Sequence, residues 1–162
     1  MMNSACAAQA RCRDAALADM EACADIFNRW VDATAWMPRV HPADDVARHY
    51  RESVFANGPV IVADCRGEIA GFLALSADGF VSALYLDERH RGVGIGTALL
   101  REAKKRAKSD LRLWTFEQNT SAQRFYEREG FVPVRGTGGE NEEGLPDILY
   151  HWRAEPLSGR EA

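Results

Sequence analysis

Apolar residues at Met20, Cys23, Ile26, Phe27, Trp30 and Val31 recur at helical spacing behind Asp19, which predicts a helix with one buried face. A second helix is predicted for "VARHYRESVF", entered through Pro42 of "HPADD". Between them "TAWMPRVH" is a loop carrying aromatic and sulfur groups. From Pro59 the period shortens, and "VIVAD", "IAGFLALS" and "FVSALYLD" read as strands joined by the turns "CRGE" and "ADG". The second and third of these are apolar on both faces, which predicts central positions in a sheet. "TALLREAKKRAK" is then a helix and "LRLWTF" a strand, so "VSALYL" and "LRLWTF" should run parallel across a crossover. In "TSAQRFYEREGF", Thr120 and Gln123 fit a capping box, and Gly130 with Phe131 reads as the helix stop. "VPVRG" and "DILYHW" frame the acidic loop "TGGENEEGLP" as a long hairpin. "ARCRDA" is a short first strand, and residues 1–10 and 155–162 read as flexible tails around a single domain of residues 11–154. The class is mixed α/β (α+β).

The 162 residues are 46% apolar and 27% charged, enough for a soluble domain with its own core. A formal charge of -4 offers no general field for nucleic acid or an anionic membrane, so neither is an expected partner. Cys6, Cys12, Cys23 and Cys65 lack the spacing of a zinc or redox motif and read as small apolar fillers in a reducing cytoplasm. No metal site is expected. No leader-like or membrane-spanning run is legible, which also points to the cytoplasm.

The chemistry-bearing stretch is "RHRGVGIGTALL", with Gly92, Gly94 and Gly96 alternating just before a helix. A phosphate-binding Walker loop would need lysine before the hydroxyl residue, but Thr97 follows Gly96 directly. A dinucleotide fingerprint fails too, because its third glycine would fall on Leu99 or Ile95. What remains is Arg91-x-x-Gly94-x-Gly96 after a buried strand, where bare backbone and a helix N-terminus can face a diphosphate. The same glycines would also serve close helix packing.

This pattern resembles the pyrophosphate signature of the GNAT superfamily of N-acetyltransferases. Asn119-x-x-Ala122-x-x-Phe125-Tyr126-x-x-x-Gly130-Phe131 resembles the second half of that family, in the expected order. The resemblance is good over Pro59 to Phe131 and holds only in outline before it. It implies a mixed, splayed sheet flanked by helices, parting between "VSALYL" and "LRLWTF" to admit acetyl-CoA. It further implies that Leu84 and Leu86 offer backbone to the pantetheine arm, and that Arg91, Gly92, Val93, Gly94, Gly96 and Thr97 hold the diphosphate. Asn119 would contact the cofactor, although a helix cap is an equal reading. Tyr126 would give a proton to the leaving sulfur, against the alternative of a packed tyrosine.

The implied activity is acetyl transfer from acetyl-CoA to a primary amine of a small molecule or peptide, by direct attack. The alternative is a non-catalytic acyl-CoA-binding sensor or scaffold, and a homodimer is left open. The chain departs from the family at the general base: "FVSALYL" holds no acid, leaving Asp87 and Glu117 as strand-end candidates. Trp36, Met37 and His41 are candidate walls of an acceptor pocket. Glu140, Glu142, Glu143 and Asp147 would favour a cationic acceptor if they face it. "KKRAK" complements its helix dipole before any ligand phosphate, and His49 and His151 show no metal partner.

Overall fold

The computed structural model describes residues 10–154. The expected tails lie outside these residues except for Ala10, which packs against the core. In chain order the elements are β1 (Arg11–Asp14), α1 (Met20–Ala33), α2 (Ala43–His49), β2 (Val60–Cys65), β3 (Glu68–Leu75), β4 (Val81–Leu86), α3 (Ile95–Arg106), β5 (Leu111–Phe116), α4 (Thr120–Arg128), β6 (Val132–Gly136) and β7 (Asp147–Trp152). A π-helical turn at Tyr50–Val54 carries α2 on towards β2.

The strands form two antiparallel sheets, in the orders β1-β2-β3-β4 and β5-β7-β6. Between β4 and β5 there is one isolated parallel bridge, Phe80 to Arg112, backed by the Arg112 N–H donating to the Gly79 carbonyl at 3.0 Å. Beyond that bridge the strands part, which is the splay the sequence resemblance implies. β4 therefore ends its sheet, correcting the central position expected from its two apolar faces.

Those two faces have a separate cause. Alternate side chains of β2 and β3 feed two cores, one on each side of the sheet. Ile61 and Leu73 join Leu99, Leu100, Leu113 and Tyr150 beneath α3, whereas Val62 and Phe72 join Met20, Cys23 and Ile26 beneath α1. On β4 the same alternation sends Leu84 and Leu86 to the first cluster and Ala83 and Tyr85 to the second. Cys23 is buried and free and Cys12 is free, whereas Cys65 is disulfide-bonded, which corrects the plain-thiol reading at that position; Cys6 lies outside the described residues.

At the entry to α4 the helix-cap reading of Asn119 holds and the capping box at Thr120 and Gln123 does not. Asn119, not Thr120, is the N-cap, its Oδ1 accepting from the Ala122 N–H at 3.1 Å. Gln123 reaches back past the cap to the carbonyls of Phe116 and Glu117, at 3.1 and 2.7 Å. The stop is as expected: Gly130 N–H donates to Glu127 O at 3.2 Å and Phe131 N–H to Tyr126 O at 3.0 Å. Among the described residues, no helix is long and apolar enough to cross a membrane.

Candidate active site

The open edge of β4 is the first component of the site. Asp87 N–H donates to Ala70 O at 2.8 Å, and the register pairs Leu86 with Gly71, Tyr85 with Phe72 and Leu84 with Leu73. Bonded and non-bonded pairs alternate along an antiparallel ladder, so the backbones of Leu84 and Leu86 turn away from β3 towards the gap beside β5. A strand edge lies bare there.

The glycine turn closes one end of the gap. Gly94 is the N-cap of α3 at φ +88°, a left-handed backbone that favours glycine, and no side chain caps the helix. The first helical bond runs from Ala98 N–H to Gly94 O, at 3.1 Å, so the amides of Ile95, Gly96 and Thr97 have no helical acceptor. A β-carbon built on Gly92 or Gly94 would meet nothing within 4 Å. Open space, three free amides, a helix dipole and exposed Arg91 together suit a diphosphate. Gly96 has an additional role, because its β-carbon would come within 3.3 Å of Phe125 Cζ; its bareness lets α3 pack on α4. The Thr97 hydroxyl is engaged by Glu129 at 3.1 Å.

Leu84, Leu86, Arg91, Gly92, Gly94, Gly96, Thr97, Asn119 and Tyr126 line one cleft of about 580 Å³ between β4 and β5, while Val93 packs against the core beside them. Tyr126 is 8% exposed, and its ring meets Phe125, Phe131 and Tyr150 at 5.2, 5.7 and 6.3 Å. Its hydroxyl has no hydrogen-bond partner among the described residues. Burial, with a smaller push from Tyr85, raises its pKa, so the group stays protonated and available as a donor.

A second cavity, of about 660 Å³, adjoins the cleft; Ser82, Ala83, Tyr85, Trp114 and Phe116 line both. Its walls include Phe27, Met37, His41, Tyr50, Glu142 and Glu143. Trp36 stands behind the wall, edge-on to Trp30 and Phe116 at 5.9 and 5.8 Å. The expected loop therefore contributes to this cavity. Tyr85 sits where the two spaces meet, against Phe27 at 5.0 Å and Trp30 at 5.1 Å. Tyr85 and Tyr50 were not singled out in the sequence, Tyr85 because it stands in an apolar strand and Tyr50 because the polar stretch "RHYRES" around it marks no site.

Neither strand-end acid faces these spaces. Asp87 is 5% exposed, accepts from the Arg89 amide at 3.0 Å, and pairs with Arg89 at 3.1 Å and Arg29 at 3.5 Å. Burial opposes its ionisation, but the bonds from Arg89 and the charges of Arg89 and Arg29 prevail and lower its pKa. Glu117 is exposed, outside both cavities. On the acidic loop, Glu140 accepts from Gly138 N–H at 3.0 Å, and Asp147 holds Thr137 and Asn141, so these two shape the hairpin. Lys104 lies over Trp152 at 5.4 Å and donates to the Glu129 carbonyl, and Arg106 pairs with Asp14; both are engaged within the fold. His151 pairs with Asp110 at 2.9 Å.

A sheet that opens at a parallel pair, with a helix-capping glycine turn at one end of the gap and an aromatic cavity at the other, defines an acyl-transfer architecture. The acetyltransferase (GNAT) family matches residues 22–131, and the chain belongs to it. It is 26% identical over 130 residues to the peptidyl-lysine N-acetyltransferase YiaC of Escherichia coli K12, covering 78% of this chain and 88% of that protein. The solution structure of apo YjaB from Escherichia coli superposes with a TM-score of 0.71 at 26% identity, over 88% of this chain and 97% of that one. YncA of Salmonella typhimurium, solved with its cofactor acetyl-CoA, shares the fold at a TM-score of 0.73 and 21% identity, over 91% of this chain and 95% of that one.

Proposed function

We propose that residues 11–154 form an N-acetyltransferase domain that transfers acetyl from acetyl-CoA to a primary amine of a small molecule or peptide by direct attack. The observation that carries this reading is the meeting of two cavities along β4: a cleft with an open strand edge and an uncapped helix, and an aromatic space beyond Tyr85. One would hold the donor and the other the acceptor. The acetyl donor seen with YncA and the lysine acetylation named for YiaC support the same assignment.

Arg91, Gly92, Val93, Gly94, Gly96 and Thr97 hold the diphosphate, mainly through amides that α3 leaves unpaired. Leu84 and Leu86 hold the pantetheine arm as a neighbouring strand would. Acetyl-CoA supplies an activated acyl group on a thiolate leaving group. An amide on the open edge at Leu84 steadies negative charge on the acyl oxygen. Asn119 spends its Oδ1 on the cap and retains its amide NH₂ for the donor. Tyr126, kept protonated by burial, delivers a proton to the departing sulfur. Thiol release from acetyl-CoA, measured with and without a panel of primary amines, tests the assignment. Amine-dependent release is expected; binding of acetyl-CoA without release for any amine would instead indicate a sensor or scaffold.

A further inference from the structure

Glu142 and Glu143 are neighbours in sequence and both line the acceptor cavity, yet they are not equivalent. Glu142 is paired: its Oε2 lies 3.1 Å from His41 Nε2, joining the β6–β7 loop to the loop before α2. Glu143 is half-buried and makes no hydrogen bond or ion pair among the described residues. Its charge is felt at Tyr85, whose phenol is held protonated first by burial and then by Glu143. Glu143 and Tyr85 line the same acceptor cavity, and Tyr85 also lines the donor cleft.

The other charged groups of the cavity are largely occupied. Arg39 is bound to Asp32 at 2.9 Å and to Asn28 at 2.9 Å. Asp45 pairs with Arg48 at 3.5 Å, and His41 with Glu142. His49 stands edge-on to Tyr50 at 6.4 Å. Tyr50 itself is 6% exposed, lines the cavity and has no hydrogen-bond partner for its hydroxyl among the described residues. Its hydroxyl is open to the cavity, where it can bond a polar group on the occupant. Apart from Ser82, whose hydroxyl donates to the Ala74 carbonyl at 3.3 Å, the remaining walls are apolar and aromatic.

Resting on the acetyltransferase reading, we propose that Glu143 receives the acceptor as its ammonium ion and takes its proton, and that the acceptor is a primary amine on a compact apolar or aromatic body. The N–H bond of the ammonium breaks, the proton passes to a Glu143 oxygen, and nitrogen keeps the electron pair. That pair forms the C–N bond to the acetyl carbon as the C–S bond breaks. Nitrogen loses a second proton as the amide forms; Tyr126 gives its proton to sulfur and is reprotonated by that second one, so one proton leaves overall, through Glu143 to solvent. Glu143 fills the role that the acid-free strand β4 leaves vacant.

The test uses 2-phenylethylamine and its β,β-difluoro analogue, whose nitrogen is far less basic and is in large part uncharged at neutral pH. Glu143→Gln is expected to lower kcat/KM for 2-phenylethylamine about 100-fold at pH 7, the scale of general base catalysis. The loss should shrink at least tenfold for the difluoro amine and as pH rises, with KM for acetyl-CoA held; Glu143→Asp should recover part of the rate. Glu142→Gln should change kcat/KM equally for both amines. Equal losses for both amines in Glu143→Gln, or the basicity-dependent loss appearing in His49→Gln or Glu142→Gln instead, would overturn the inference. If the wild-type protein binds acetyl-CoA but acetylates neither these amines nor a lysine peptide, the acetyltransferase reading itself falls and the inference with it.

Discussion

Tyr126 is tethered to Phe131 twice, by the Phe131 N–H donating to its carbonyl at 3.0 Å and by ring contact at 5.7 Å. The bond that stops α4 therefore also fixes the residue proposed as proton donor. Tyr126→Phe keeps the ring and its contacts, so Tm and acetyl-CoA affinity should hold. The chemical step should slow by roughly 10 to 1,000-fold, less for thioesters with a more acidic leaving thiol. Wild-type kcat under conditions where chemistry limits turnover would reduce Tyr126 to packing.

The last two glycines of the α3 entry should fail in different ways. Gly94→Ala meets no atom but demands a left-handed alanine, costing about 1 kcal/mol, and it intrudes on the proposed diphosphate space. Its main effect should be a loss of acetyl-CoA affinity of tenfold or more by calorimetry. Gly96→Ala presses on Phe125, and its main effect should be a lower Tm, from roughly 1 to 3 kcal/mol of overpacking.

Arg91 is exposed and joins a site whose backbone donors remain without it. Arg91→Ala should weaken acetyl-CoA binding by about tenfold, within the range of one charge-assisted contact, and the deficit should narrow as salt is raised. An unchanged affinity at low salt would remove Arg91 from the site.

Trp114 lines both the cleft and the acceptor cavity, is 39% exposed, and has the Arg135 guanidinium 5.2 Å from its ring. Acetyl-CoA should change tryptophan emission in a saturable manner, and Trp114→Phe should abolish most of that change with affinity retained. Emission that does not respond to the ligand in the wild type would argue against occupancy beside β5.

Asp87 gives a pH dependence with a definite sign. Its folded pKa lies below the ordinary carboxylate value, so its contribution to stability is fully present above about pH 4 and is lost as pH falls through the lower folded value. Asp87→Asn should be less stable at pH 7 by about 1 to 3 kcal/mol in urea unfolding. The gap to wild type should close on acidification below about pH 4. A constant gap at all pH values would assign the loss to packing.

The glycine spacing, the stop of α4 and the alternation that feeds two cores were legible because each is a local pattern with a fixed geometric reading. The edge position of β4 was not, since a strand bordering a ligand cleft carries the same apolar side chains as a central one. Asn119 and Thr120 both have capping chemistry, and only the backbone chooses between them. Glu142 and Glu143 are indistinguishable in the chain; the residue that separates them, His41, lies 101 positions away. Asp87 stood as a candidate base because its pairing with Arg29 depends on the packing of α1.

The single bridge between β4 and β5 has a thermodynamic corollary. A strand edge left bare inside a protein is an incomplete sheet, and whatever lies along Leu84 and Leu86 completes it. Donor binding and folding then draw on the same backbone bonds. The unliganded chain is the less finished form: its unfolding free energy rises by RT ln(1 + [L]/Kd) as acetyl-CoA accumulates, and its melting point, climbing with it, becomes a gauge of the donor pool.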